Sequence, residues 1–491
     1  MKTILLSSAL LLAAGCGMWA VGPDYQQPEM PKIDATAPDA GYPTTNKTAT
    51  GEFKPASAKN DPRVEITKDT IRDWWKQFND PVLANLINTA TTSNLSFMMA
   101  QERLVQARWA LVGSAAAFMP KVSMDGTYTR SGAHKFTSSR WGSGKSHHGN
   151  HWSSGFDATW EIDLFGGTRR AYEAAEASLD AANCGVDHAW VTLTSEIGRQ
   201  YITLRTTQAR LEVARKNLKL QGETYDILKS RLDSGIGDEL AVNQAKYNVE
   251  QTRATIPALI SGEEACMNAL AILIGTMPGA IHARLGSVTN RDWVRPPQRL
   301  AKIPLDLVRG RPDVRAAERA LAAQSAAVGI AESYLFPKFY INGSFGLDSV
   351  EASKFFRREA FLASIGPSFS WPIFQGGNLL ANMKKEESKM NEAALNYELT
   401  LATALAEARD AYSAYTQEYH SFQSLQGAVQ AARAAVDISN DLYKNGLKDF
   451  NNVLDAQRSL LNLEESLTLS RGRITLNVIA LYKALGGGMS L

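Results

Sequence analysis

A repeat constrains this chain more than any other feature. Trp160-Glu161-Ile162-Asp163-Leu164-Phe165-Gly166-Gly167 aligns with Trp371-Pro372-Ile373-Phe374-Gln375-Gly376-Gly377 at an offset of 211 residues, and the register holds without a gap from Trp160 to Gly275. Tyr201 meets Tyr412, Gly235 meets Gly446, Asp238 meets Asp449 and Gly275 meets Gly486. Upstream the offset becomes 217, pairing Ala100 with Ala317 and Pro120 with Pro337. A fold that serves this sequence therefore builds one unit twice.

Each copy carries helices too long for a globular domain. After Gly167 a helical pattern runs to Ser234, about 100 Å at 1.5 Å per residue. Trp190, Ile197, Leu204, Leu211, Leu218, Tyr225 and Leu232 recur every seventh residue, as do Leu401, Ala408, Tyr415, Phe422, Val429, Val436 and Tyr443. The returning segments repeat the period through Val242, Val249, Ile256 and Leu270, and through Val453, Leu460, Leu467, Ile474 and Leu481. Strict sevens impose left-handed supercoiling. Turns at Gly235 and Gly237 and at Asn445 and Gly446 make each pair an antiparallel hairpin, because glycine is free to take positive φ at a helix end. Such a hairpin places Cys184 and Cys266 about 30 Å out of register, which argues against a disulfide between them.

Upstream of each hairpin lie two strands, about 121–131 and 154–165 in the first copy and about 338–348 and 362–374 in the second. Phe156, Ala158, Trp160, Ile162 and Leu164 alternate with Asp157, Thr159, Glu161 and Asp163, the period that gives a sheet one apolar and one polar face. About ten residues suffice for a tilted crossing of a bilayer. The smallest single-chain bacterial barrels use eight strands, so four per chain require several chains to share one barrel. A soluble half-buried sheet carries the same alternation.

Composition narrows the class. With 52 Lys+Arg against 50 Asp+Glu the chain has no basic surplus for nucleic acid, and no nucleic-acid partner is expected. After the first 16 residues no run of about 18 apolar residues offers a helical membrane span. Lys2, the apolar run Ile4 to Ala14 and the small residues before Cys16 have the layout of a signal peptide over 1–15. Ala13-Ala14-Gly15-Cys16 resembles the bacterial lipobox, with Ala13 where Leu is usual, and implies acylation of Cys16 in outer-membrane lipid. Seven of the 18 prolines fall between Gly17 and Pro62, so residues 16–62 read as an extended tether. The first copy then spans 63–275, a linker 276–311, and the second copy 312–491.

A duplicated strand pair plus heptad hairpin, behind a lipobox and Val21-Gly22-Pro23-Asp24-Tyr25, resembles the TolC/OprM-like outer membrane factor family in its lipoprotein, NodT-type branch. Further matches are Trp74-Trp75 with Phe78-Asn79-Asp80-Pro81, Arg311-Pro312-Asp313-Val314, and Val453-Leu454-Asp455-Ala456-Gln457-Arg458. The resemblance implies a mainly α fold with a β-barrel. It also implies a homotrimer whose 12 strands close that barrel above a coiled-coil periplasmic tunnel. The implied role is a passive, gated exit duct of a tripartite efflux system. Its tips would dock on a periplasmic adaptor and an inner-membrane pump of the resistance-nodulation-division type. The alternative within the resemblance is the outer component of a type I protein secretion system. A non-conducting coiled-coil scaffold is the third reading.

The chemistry expected of such a duct is a gate. Asn452 and Asp455 are three residues apart and share a helix face, and Asp455 lies roughly 200° from the seam residue Val453 at 100° per residue. By resemblance Asp455 lines the periplasmic constriction and three copies form a cation-attracting ring, with Asn452 standing where some relatives carry a second Asp. Tyr443 and Lys448 match positions where a Tyr and an Arg hold the tip closed, and Lys lacks the fork of Arg. Gly142-Ser143-Gly144-Lys145-Ser146 lacks the first glycine of a P-loop. His134, His147, His148 and His151 read as a solvated loop between strands. No nucleophile, base and acid assemble from the remaining histidines, so neither enzymatic activity nor a metal or other cofactor is expected.

Overall fold

The computed structural model describes residues 20–28, 71–131, 149–286, 306–445 and 447–487. The signal segment, Cys16 and the tether beyond Pro28 lie outside these, as do Gly446, the half P-loop and three of the four loop histidines. Contacts divide the chain into two units. One gathers the described residues of Met1–Glu29, Leu104–Ala182 and Ala316–Tyr397, and the other those of Met30–Arg103, Asn183–Arg315 and Glu398–Leu491.

The first unit holds the strands β1 (Lys121–Ser131), β2 (Gly149–Ile162), β3 (Lys338–Ser349) and β4 (Phe361–Ser370), paired antiparallel in that order. The register sets Phe156 beside Met124 and Phe345, Trp160 beside Ile341, and Phe339 beside Phe369. Residues paired across strands share a face, so the face of Met124, Phe156 and Phe345 is mainly apolar, with Arg130 and Asn150 paired at its far end. The other carries Asp157, Glu161, Asn342 and Ser344, where Asn342 donates to Ser368 Oγ (2.7 Å) and the Ser344 and Ser364 hydroxyls bond at 2.8 Å. The apolar face is bare: Met124 is 66% exposed, Phe345 55%, Ile365 84% and Phe369 69%. Water would penalise such a surface, whereas lipid would solvate it.

Three strand ends differ from the sequence expectation. β2 begins at Gly149 rather than 154 and takes His151 from the expected loop into the strand, paired with Thr129. β2 stops at Ile162 rather than 165, because the Asp163 carboxylate accepts the backbone N–H of Arg169 (3.0 Å) and opens the next helix. β4 stops at Ser370 rather than 374; Pro372 has no N–H to donate to a ladder. Instead the Trp371 indole donates to Leu335 O (3.1 Å), as Trp160 donates to Phe118 O (2.9 Å), so both tryptophans clasp the turn that precedes a strand pair.

Residues 20–28 correct the tether expectation over their length. Val21 N–H donates to Phe165 O (3.1 Å), and Arg170, its side chain 5% exposed, donates to Val21 O, Gly22 O and the Asp24 carboxylate. A buried guanidinium must find acceptors, and this segment supplies them. Gly22 turns at φ 95, and a Cβ there would stand 2.4 Å from Gly329 Cα. The Tyr25 hydroxyl donates to Glu318 (3.3 Å), and burial together with that carboxylate pushes the phenol up to about 12. Proline-rich composition indicated an extended backbone and could not reveal its docking partner.

The helices α1 (Pro81–Ser93) and α2 (Leu95–Ala115) precede the first strand pair, and α5 (Pro312–Ser333) precedes the second. Two long hairpins follow the pairs: α3 (Gly167–Asp233) with α4 (Glu239–Leu273), and α6 (Asn378–Lys444) with α7 (Phe450–Ala484). α3 and α6 have 67 residues each, and α4 and α7 have 35 each. Heptad positions are covered, with Ile197, Leu204, Ala408, Val453, Ile474 and Leu481 all at 0%. α4 holds no unbroken run of 18 apolar residues, since Glu263 and Glu264 interrupt it, although its most apolar 18 residues have mean hydropathy 1.3. Its aliphatic residues serve a hairpin seam instead, where Leu259 clusters with Leu211 and Ala214.

In the second unit Trp74, fully buried, stacks on Tyr482 at 6.2 Å. Asp80 caps α1 by accepting from Val82 and Leu83 N–H and also receives the Tyr201 hydroxyl (2.6 Å). Arg311 donates to Ala484 O, Asp313 and Glu407, which ties the start of α5 to α6 and α7. Burial alone would raise the Asp313 pKa, but Arg311 outweighs it and holds the carboxyl below its ordinary value. Cys184 and Cys266 are both buried and form no disulfide among the described residues.

Candidate functional site at the hairpin tips

The residues singled out in the sequence converge on the two hairpin tips, both within the second unit. α3 ends at Gly235, whose φ of 77 lets its N–H reach Leu232 O (2.9 Å) while Ile236 N–H reaches Arg231 O (3.1 Å). These bonds satisfy carbonyls that a helix end leaves open. Gly237 has a different reason to be glycine: a Cβ would lie 2.4 Å from the Leu232 nitrogen. Asp238 starts α4 by accepting the Leu240 N–H at 3.0 Å.

At the second tip Asn445 folds back on α6, donating from both its backbone and its side chain to Asp441 O (3.1 and 2.8 Å). Asp449 precedes α7 but makes no side-chain cap bond. The exposed Asn452 donates from its backbone and its amide group to Asp449 O, each at 3.2 Å, so its side chain closes the first turn of its own helix. Lys448 is exposed and forms no side-chain ion pair or hydrogen bond among the described residues.

The two hairpins meet at a small apolar cluster. Leu228, Ala241 and Ala245 from the first pack with Phe450, Val453 and Leu454 from the second, and Tyr443 packs against them. Tyr443 meets Phe450 edge to face at 5.2 Å, and the Arg231 guanidinium lies over its ring at 5.6 Å. Within the chain, Tyr443 therefore binds the neighbouring hairpin through its ring face, a cation–π contact. The resemblance implies a polar link from this position to a neighbouring hairpin, and the ring contact lies within one chain. Further from the tip, Glu464 of α7 receives Arg433 of α6 (2.7 Å) and Asn217 of α3 (3.4 Å), joining three helices.

Asp455 stands off the seam with its side chain 79% exposed, as its offset from Val453 predicted. Its nearest cation is Arg458, one turn on, at 3.9 Å. Sequence reasoning had treated Arg458 as motif alone. Arg458 Nε donates to Asn248 Oδ1 (2.8 Å), and its guanidinium lies 5.4 Å from the centre of the Tyr247 ring. The signal was available in the repeat: the offset of 211 places Tyr247 at the position equivalent to Arg458 and Gln244 at that of Asp455.

A bare apolar sheet face joined to paired heptad hairpins with a charged tip defines a class of membrane duct. The Outer membrane efflux protein family matches residues 86–276 and 305–487, and the chain belongs to that family. Nodulation protein T from Rhizobium leguminosarum bv. trifolii is 30% identical over 458 residues, covering 93% of this chain and 91% of the relative. The cation efflux system protein CusC of Escherichia coli (strain K12) is 26% identical, covering 97% of each chain. Among solved structures, the outer-membrane channel OprN superposes with a TM-score of 0.83 at 30% identity, covering 95% of this chain and 99% of that one. A CusC structure superposes with a TM-score of 0.80 at 24% identity and shares the fold. The protein is thus an outer-membrane efflux channel of the NodT-type branch.

Proposed function

We propose that this chain is the exit duct of a tripartite efflux system, passing small molecules from a periplasmic pump complex to the exterior without a chemical step of its own. The carrying observation is the four-stranded sheet with a bare apolar face. Among the described residues its outer strands β1 and β4 each have a single partner. Open edges and a lipid-compatible face call for further copies, and three copies give a closed barrel of 12 strands. The helical hairpins continue the duct into the periplasm, where the tips meet an adaptor and, through it, an inner-membrane pump of the resistance-nodulation-division type. An acylated Cys16 adds a lipid anchor, and the second tip with Asp455, Asn452, Tyr443 and Lys448 forms the gate.

Relatives are named for cations, toluene and pyoverdine, and this range supports small-molecule cargo without choosing among the three. Growth of a deletion strain against antibiotics, dyes, aromatic solvents, copper and silver, each compared with the complemented strain, tests the reading. Selective hypersensitivity restored by the gene is the expected result. An unchanged panel with a changed set of secreted proteins would replace it with type I protein secretion.

A further inference from the structure

We propose that Arg458 couples the position of the gate to its charge: it holds the second tip against the first hairpin when closed, and turns to neutralise Asp455 when the tips part. This deepens the gate reading of Asp455 and rests on it. Three groups compete for one guanidinium. Asn248, 3% exposed, takes Nε at 2.8 Å, the Tyr247 ring lies under the planar group, and Asp455 is left at 3.9 Å, beyond hydrogen-bond reach. The first two belong to α4 and the third to the same helix as Arg458. In the arrangement seen, then, the arginine serves the contact between hairpins and the acid keeps its exposure.

The arrangement is specific to two diverged copies. Tyr247 and Arg458 occupy equivalent repeat positions and meet each other across the hairpins. Two arginines there would repel and two tyrosines would carry no charge toward Asp455, so of these only the unlike pair makes a cation–π contact and leaves a guanidinium near the acid. Beside them the buried Asn248 Nδ2 has no hydrogen-bond partner among the described residues, so its amide is held on the oxygen side alone. An Asp at 248 would bind Arg458 far more firmly. The neutral Asn makes a link that can break.

When the hairpins separate, Arg458 loses Asn248 and Tyr247 together, and the flexible side chain is one helical turn from Asp455. The acidic ring would lose charge as the aperture widens. A closed tip thus attracts cations to its mouth, and an open one lets cargo of either sign pass.

The test is single-channel recording of the full-length protein in planar bilayers under a potassium chloride gradient, with heat-stable assembly as the folding control. Arg458→Gln should raise the open fraction roughly fivefold, as expected for a lost hydrogen bond of ordinary strength. It should also move the reversal potential of open channels toward the cation limit, since nothing then offsets Asp455. Adding Asp455→Asn should cancel the shift in reversal potential and leave the raised open fraction. Asn248→Asp should lower the open fraction. Arg458→Lys keeps the charge without the fork and should restore the wild-type reversal potential while the open fraction stays high.

If Asp455→Asn alone changes selectivity but Arg458→Gln does not, the inference about Arg458 falls and the gate reading stands. If Asp455→Asn also leaves selectivity unchanged, the gate reading falls with it. Should Arg458→Gln fail to assemble, Asn248→Asp decides alone: an open fraction equal to or above wild type overturns the proposal.

Discussion

At the first tip Gly235 turns in the left-handed region, Gly237 is pressed against the Leu232 backbone, and the Asp238 carboxylate holds the start of the returning helix. At the second tip Asp449 holds nothing with its side chain, Lys448 stands where the first copy has Gly237, and the charged Asp455 stands where the first copy has Gln244. The two tips derive from the same repeat and each closes on its own helix, Ile236 N–H on Arg231 O and Leu447 N–H on Leu442 O, yet only the first adds a tightly pressed glycine and a carboxylate cap. Duplication allowed this division. The gate proposed above would need one wall that keeps its shape and one that moves, and Asp455, Lys448 and Arg458 all belong to the hairpin whose tip lacks the glycine and the cap.

The largest effect expected from this contrast is at Gly237. A methyl group placed 2.4 Å from a backbone nitrogen forces the turn to shift, so Gly237→Ala should destabilise the first tip by about 1–3 kcal/mol. Lys448→Ala at the equivalent position should cost less than about 0.5 kcal/mol. Amide hydrogen exchange at the two turns measures both. Equal and small losses would mean that the first tip is as adaptable as the second, and the comparison would break.

Next come the two helix starts. Asp238→Ala removes a cap bond and should cost about 1 kcal/mol, whereas Asp449→Ala removes none and should cost a few tenths of a kcal/mol. Exchange protection of the first-turn amides of α4 and α7 reads the difference. A larger loss at Asp449 would place the firmer cap on the second tip.

Arg231→Ala should weaken the hold on Tyr443 by about 0.5–1 kcal/mol and raise channel opening, because it removes the guanidinium from the ring face. Tyr443→Phe keeps the ring and sharpens the question. An unchanged open fraction in bilayers supports the ring contact as the whole link. A rise of the size expected for Arg231→Ala would show that the hydroxyl makes a polar link to a neighbouring hairpin, as the resemblance implies.

What the sequence disclosed, and what it hid, follows one physical line. The long helices, the strand faces and the exposure of Asp455 were legible because each is written in a local period of 2 or about 3.6 residues. The docking of residues 20–28 was not, since Arg170 in a helix start carries no mark of the distant backbone carbonyls it will need. The contact of Arg231 was hidden for the same reason, since it acts on a residue of the other hairpin, and that of Arg458 was marked only by the equivalence of positions 247 and 458 in the repeat. The strand ends at Ile162 and Ser370 depended on a side-chain cap and on one proline, details finer than a periodicity can resolve.

Lys448→Arg should have the smallest effect and still sharpen the contrast. Among the described residues the Lys448 side chain has no partner, so in one chain the change removes nothing and strains nothing. Arginine offers a planar fork with five donors where lysine offers a compact, strongly hydrated point charge. If a neighbouring chain presents a carboxylate or carbonyl to this tip, the fork would engage it and lower the open fraction by about twofold, a few tenths of a kcal/mol. The reversal potential should not move, because the net charge of the tip is the same. That pairing of outcomes separates a mechanical lock from an electrostatic one. A lowered open fraction with fixed selectivity would identify the missing fork as what leaves this tip easier to open than its partner. A shifted reversal potential would instead mean that residue 448 faces the permeating ion.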